Sequence, residues 1–356
     1  MHDGERLRAG TGQRGGGPEN LIPETTESGS LGVYGLKRSW ARVGLQRKGL
    51  IPFDRHEFHR GRLVWDALGV GLEQTLQFLG QSAPTFEAFE QWILDTTGGI
   101  PPERIARINA ALTGAALPLE ARARLDTIEA MDPVLSPADM AFWDENGYVV
   151  VHDAVPSETR DAARDAVLDH VGADLNAPDS WYTGRQSIMV QYFQHPAFVA
   201  NRYSPRIHKA FAQIWGSADL WVTTDRVGFN VPERPGWNFQ GPDLHFDVSL
   251  AQPMPLGTHG ILYLTDTAAE QGAFTLVPGF HRRVGDWLAN LPPDSNPRDQ
   301  DLHALGSIPI AGRAGDFIIW HDALPHGSRP NRANMPRIVQ YIAMYPTAPD
   351  IAETWV

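Results

Sequence analysis

Between residues 60 and 131 apolar side chains recur at three- and four-residue steps, the period of an amphipathic helix. Leu63, Val64, Ala67, Leu68, Leu72, Leu76 and Leu79 form one stripe. Phe86, Phe89, Trp92 and Ile93 form a second, and Ile105, Ile108 and Leu112 a third, stopped by Gly114. Pro101 and Pro102 stand where a helix would begin, because proline's fixed φ and missing N–H suit a first turn. A sharper start follows at SPADMAFWDENGYVVV (136–151). There Ser136 is an N-cap, Pro137 fits the first helical position and Asp139 completes a capping box. Gly147 then ends the helix, YVVV opens a strand, and a further helix is expected over 157–172. Beyond about residue 218 the pattern becomes short β-type runs between Gly, Pro and Asn turns, among them DLHFDVSL, GILYLTD, GDFIIWH and RIVQYIAMYP. Six or more such runs predict a β-sandwich or barrel.

Composition changes this picture mainly by exclusion. With 356 residues, 42% of them hydrophobic, and 11 Trp and 15 Phe, the chain can bury a sizeable core. Residues 1–32 are rich in Gly, Arg and Glu and are expected to be a disordered tail. The basic segment 34–49 reads as a solvated helix face or tail rather than an anion-binding patch. A helical N-terminal region is expected over 33–134, and a second domain over 135–356. A formal charge of −12 argues against a general nucleic-acid or anionic-membrane surface. The absence of cysteine leaves only His, Asp or Glu to hold a metal. The opening residues lack the apolar core of a secretory signal, and no apolar stretch reaches membrane-spanning length, so a cytoplasmic protein is expected.

The candidate chemistry starts at DLHFDVSL (243–250). On a strand, residues i and i+2 share a face, so His245 and Asp247 would project together with Ser249 beyond them, and Phe246 would face the other side. An imidazole and a carboxylate side by side are two thirds of a facial triad; a histidine from another strand would complete it. Alone, the pair is equally readable as an inward histidine hydrogen-bonded to a neighbour. Downstream, GDFIIWHDALPHGSRPNRANMPRIVQYIAMYP (315–346) supplies His326 and, eleven residues later, Arg337 at the head of an alternating run. A histidine and an inward arginine one hairpin apart suit a 2-oxo acid: one end chelates the metal, and the far carboxylate takes the fixed fork of donors that guanidinium offers.

HFD, then QGAFTLVPGFH (271–281), then HGSRPN and the following arginine together resemble the phytanoyl-CoA dioxygenase family of iron(II)/2-oxoglutarate oxygenases. The resemblance spans roughly residues 135–346, with order and spacing intact. It implies an α+β chain with a double-stranded β-helix (jelly roll, cupin-like) catalytic core and flanking helices; the additional N-terminal helical region, read from periodicity, lies outside it. It implies His245, Asp247 and His326 as iron ligands, and Arg337 with Ser328 on the far carboxylate of 2-oxoglutarate. Asn230 and Tyr263 would face the same co-substrate, or are equally readable as ordinary barrel-interior residues. Iron(II), 2-oxoglutarate and O2 are the implied cofactor and co-substrates, with a small-molecule metabolite or natural-product intermediate hydroxylated at an unactivated C–H. Family halogenases replace the carboxylate; Asp247 is present, which favours hydroxylation.

Alternatives remain at this point. The same iron site could desaturate, cyclise, epimerise or demethylate, and a non-catalytic cupin-like binding protein could keep the fold. His321 is a rival distal ligand, but the arginine spacing fits His326. His281 reads as structural, His259 and His303 as loop residues with surface or local bonding, and Asp266 as a cap. Trp181, Tyr182 and Arg185 are candidate substrate contacts, each equally readable as a core anchor or exposed loop. The helical region could serve as a lid, a carrier-docking surface or a homodimer contact.

Overall fold

The computed structural model describes residues 18–182 and 187–356. The first seventeen residues of the expected disordered tail lie outside that range, but the stretch that follows is not a free tail. The Ser30 and Leu31 N–H groups and the Ser30 hydroxyl all donate to Glu90 at 2.8–3.0 Å. Glu90 is only 3% exposed, so its charge requires such partners. The segment is held by polar contacts from distant residues, to which composition is blind.

Helices α1 (Leu36–Arg47), α2 (Arg55–Leu68), α3 (Leu72–Ser82), α4 (Phe86–Thr97), α5 (Pro102–Thr113) and α6 (Leu119–Glu129) follow. The basic segment is largely α1, which buries Leu36 and Leu45 and pairs Arg38 with Glu57 at 2.7 Å. Asp54 caps α2 by accepting the Glu57 N–H, and Gly69, with φ of 87°, ends it. That left-handed residue splits the first apolar stripe into α2 and α3. Leu63, Trp65, Phe89, Ile93 and Ile108 make the core between these helices, and Trp221 of a later strand enters it. A buried carboxylate also ties the helices to the strands: Asp66 accepts the Thr224 N–H at 2.7 Å and the Tyr345 hydroxyl at 2.8 Å.

The expected capping box is present. Ser136 Oγ accepts the Asp139 N–H at 3.2 Å, and Asp139 Oδ2 accepts the Ser136 N–H at 2.8 Å. It starts α7 (Pro137–Asn146), followed by β1 (Tyr148–Val151), α8 (Ser157–Val171), β2 (Met189–Val190), α9 (Pro196–Arg202) and α10 (Pro205–Trp215). Then come β3 (Leu220–Val222), β4 (Val227–Asn230), β5 (Thr258–Tyr263), β6 (Thr275–Leu276) and α11 (Val284–Ala289). Strands β7 (Ile308–Pro309), β8 (Phe317–His321), β9 (His326–Gly327), β10 (Arg337–Tyr341) and β11 (Met344–Pro346) complete the chain.

The main sheet is antiparallel with order β1-β8-β5-β10-β4-β2, beside a three-stranded sheet β7-β6-β9 and a pair β11-β3. The two faces of the main sheet bury alternate residues. Leu262, Phe317, Ile319 and Ile338 pack with Phe198, Phe211 and the other helical residues of α8 to α10. Ile261, Tyr263, Ile318 and Val339 pack with Leu276 of the smaller sheet and with Phe274 just before it. Burial on both sides explains the nearly continuous apolar runs ILY of β5 and FIIW of β8.

Candidate metal centre

The expected strand over DLHFDVSL is corrected by the structure: only His245 makes a bridge, antiparallel to His326, and the chain bends at Asp247. The bridge is reciprocal, His245 N to His326 O at 2.9 Å and His326 N to His245 O at 3.1 Å, extended by Ser328 N to Pro242 O at 3.0 Å. Gly327 makes this approach possible, since a Cβ there would collide with the Asp243 backbone. The bend leaves carbonyls without a ladder partner. Arg298 supplies one, donating from Nη1 to Phe246 O at 2.7 Å and from Nη2 to Val248 O at 2.6 Å. His245 and Asp247 thus converge through a clamped bend, not through strand alternation. Ser249 turns to other work and donates to Thr354 O, while Phe246 is buried against Phe280 and Trp287.

The donor atoms of His245, Asp247 and His326 lie within 4.8 Å of one another. Asp247 Oδ1 is 3.3 Å from His245 Nε2, and Oδ2 is 3.1 Å from His326 Nε2. Each imidazole gives its Nδ1 proton to a backbone carbonyl, Asp243 O at 2.6 Å and Leu324 O at 2.9 Å. A carbonyl can only accept, so in each ring Nε2 is the nitrogen left to face Asp247. Burial pushes the Asp247 carboxyl up, but hydrogen bonds from His245 and His326 outweigh it and hold it well below the usual carboxylate range. Burial alone would lower the His245 imidazole, yet the Asp247 hydrogen bond leaves it raised. A charged carboxylate between two inward nitrogens is an arrangement in which a dication can take the place of two protons.

The cluster opens into a cavity of about 300 Å3 lined by Phe274, Trp320, Ser328 and Tyr341 among others. Behind Ser328 lies Arg337, fully buried, donating from Nη2 to the Ser328 hydroxyl at 2.9 Å. Its Nε and Nη1 find no partner among the described residues. Arg337 heads β10, in register with Asn230 of β4. Asn230 and Tyr263, expected to face the co-substrate, are not among the cavity's lining residues. The Asn230 amide donates to Arg329 O at 3.1 Å. The Tyr263 hydroxyl donates to Ile310 O at 2.6 Å and accepts the Phe274 N–H at 3.0 Å. Burial pushes the Tyr263 phenol well above its ordinary value.

Among the rival residues, His321 accepts the Ala323 N–H at 3.0 Å, and burial pushes it down to about 4. His281 bonds the Asp144 carbonyl, His303 bonds Ser307 and Asp243, and Asp266 accepts the Ala314 N–H. Trp181 is a core anchor, donating to Asp174 O at 2.7 Å, and the Tyr182 hydroxyl donates to Pro232 O. Arg185 lies outside the described residues. His259 departs from expectation: it belongs to β5, not a loop, and lines the cavity. Burial lowers it, but Asp322 at 2.6 Å prevails and raises it to about 9. Neither Arg298 nor the His259–Asp322 pair carries a spacing signal, because each acts across fifty or more residues of chain.

The family model of phytanoyl-CoA dioxygenase (PhyH) matches residues 143–339. The chain belongs to that family. It is therefore a non-haem iron(II)- and 2-oxoglutarate-dependent dioxygenase. A Dictyostelium discoideum protein described as a phytanoyl-CoA dioxygenase is 22% identical over 261 residues, 58% of this chain and 74% of that protein. Ectoine dioxygenase of Halomonas elongata is 24% identical over 235 residues, 59% of this chain and 69% of that enzyme. The solved structure of HygX from Streptomyces hygroscopicus with nickel and 2-oxoglutarate bound aligns with TM-score 0.44 and 18% identity, covering 60% and 88% of the two chains. The donor chemistry of this phytanoyl-CoA dioxygenase family member fits the two groups. Donors on neighbouring corners of an octahedron with bonds of about 2.1 Å sit about 3 Å apart, close to the separations around Asp247. The orphaned nitrogens of Arg337 fit a carboxylate.

Proposed function

We propose that the protein hydroxylates an unactivated C–H of a small-molecule metabolite, using iron(II) held by His245, Asp247 and His326. Arg337 binds the far carboxylate of 2-oxoglutarate, with Ser328 orienting the guanidinium. The observation that carries this reading is the pair of unpartnered nitrogens on a fully buried arginine. A buried guanidinium without acceptors is costly, and a carboxylate removes that cost. When bound, iron and 2-oxoglutarate supply the oxidising chemistry, by which O2, 2-oxoglutarate and substrate become succinate, carbon dioxide and hydroxylated product.

The chain's own residues position and protect. The carbonyls of Asp243 and Leu324 hold the two imidazoles in the ligating tautomer. Arg298 keeps the Asp247 bend closed. Phe274 and Trp320, whose rings lie 6.0 and 5.0 Å from that of His326, keep water from that side. The main sheet and the smaller sheet sharing one core support a double-stranded β-helix, occupying a catalytic unit from about residue 135 onward, with a helical unit before it. Two supports for a small-molecule substrate are the modest cavity and the family placement.

The test is iron-dependent release of succinate from 2-oxoglutarate, run against a metabolite panel with mass detection of one added oxygen atom. Asp247→Ala and His326→Ala must both lose iron binding and turnover. Parent-like behaviour in either would end the ligand assignment.

A further inference from the structure

A second cavity, of about 250 Å3, adjoins the metal centre. The two meet at Asp247, His259 and Ala343, which line both. One wall comes from outside the stretch that matches the family. Arg55, His59 and Arg62, on one face of α2, line it together with Trp215, Tyr345 and Trp355.

That wall carries polar groups that the protein itself leaves unused. Arg62 has one carboxylate in ion-pair range among the described residues, Asp66 Oδ2 at 3.4 Å, with Asp225 and Asp322 farther off. Asp66 is shared, since it also accepts the Thr224 N–H and the Tyr345 hydroxyl. Arg62 Nε is buried and finds no hydrogen-bond partner among the described residues, and its guanidinium lies 5.6 Å from the Tyr345 ring centre. His59 Nε2 is likewise buried without a partner, and burial pushes the ring down to about 4, so it is neutral at pH 7. Arg55 lies 5.3 Å from the Trp355 ring centre, with no carboxylate in ion-pair range among the described residues. The acids on the same cavity are spoken for or peripheral. Asp322 is bonded to His259, Asp247 belongs to the metal cluster, and Asp350 is exposed.

We propose that this cavity is the substrate pocket and that the substrate carries an oxyanion, carboxylate or phosphate, bound by Arg62 and Arg55 of α2. Its apolar body then lies along the aromatic wall toward Asp247. Unsatisfied buried donors call for an acceptor, and two guanidiniums beside aromatic rings bind an anion attached to an apolar group. The inference rests on the iron reading of Asp247 for what happens to the substrate, but not for the anion site itself.

The test uses the full chain saturated with iron(II) and 2-oxoglutarate under anaerobic conditions, so that Arg337 is occupied. Titration calorimetry compares 4-phenylbutyrate, its neutral amide and 3-phenylpropyl phosphate. The carboxylate or the phosphate should bind at least about ten-fold tighter than the amide, and the stronger of the two names the anion. Arg62→Met should close most of that gap, Arg62→Lys should keep part of it, and Arg55→Met should narrow it. Melting temperatures report folding; if Arg62→Met fails to fold, Arg62→Lys and Arg55→Met carry the comparison. Equal binding of amide and anions, no binding of any probe, or a gap that survives the arginine substitutions would overturn the proposal. The iron reading is scored separately, by the visible charge-transfer band of the parent protein with iron(II) and 2-oxoglutarate and its loss in Asp247→Ala. A preference for anions without that band would leave the anion site standing and remove the iron assignment.

Discussion

The strand region and the helical region both line the second cavity but are held together differently. In the strand region, backbone fixes the chemistry: the His245–His326 bridge, the close approach at Gly327 and the register of Arg337 against Asn230 leave the site little freedom. In the helical region, side chains do the holding, through an apolar core around Trp65 and Phe89 and ties such as Asp66 to Thr224 and Tyr345. Function in the first region therefore depends on a few atoms, whereas stability in the second depends on bulk packing.

Four measurements can break or sharpen that contrast. Phe89→Ala removes a fully buried ring stacked near Phe78 and Trp92 and should cost about 3–5 kcal/mol in urea unfolding, with iron affinity of the folded fraction unchanged. A loss of iron affinity there would show that the helical core shapes the metal centre. Asp247→Ala should do the reverse, lowering iron(II) affinity in anaerobic calorimetry by at least about a hundred-fold, since a direct ligand outranks a supporting contact. Arg337→Met should raise the KM for 2-oxoglutarate by about thirty-fold, with iron affinity held, as expected when a buried charge loses its partner.

The smallest effect is a pH dependence shared by both regions. Burial pushes His59 in α2 and His321 in β8 down to about 4. Between about pH 6.5 and 4 the unfolded chain takes up protons that these native rings refuse, so stability is full above that window and falls as the pH drops through it. His59→Gln and His321→Gln should each flatten the acid loss of the urea midpoint. If neither does, the burial of these rings is not what limits acid stability.

Much of the site could be read before any coordinates, because its spacing is local to strands and turns. His326 and Arg337 bracket one hairpin, and HFD sits in one short run, so both appear in a one-dimensional pattern. The misreadings share a cause. DLHFDVSL has strand composition but pairs at a single residue, because Arg298, fifty residues away, satisfies the carbonyls of a bend. Asn230 and Tyr263, open in the sequence between co-substrate contact and barrel interior, bond Arg329 and Ile310. His259 looked like a loop residue because its strand begins only one position earlier.

The amino-acid sequence alone determined the periodic helices, the capping box at Ser136, the family and the His245, Asp247 and His326 set that the structure brings together. These depend on neighbours within a turn or a hairpin, where covalent geometry limits the outcomes. Only the tertiary structure decided that Glu90 pins the segment before α1, that Arg298 clamps the Asp247 bend, and that Arg55, His59 and Arg62 reach the cavity beside it. Those contacts join residues separated by dozens to hundreds of positions. Whether a charge finds a partner or stays free is settled there by packing, which no spacing along the chain records.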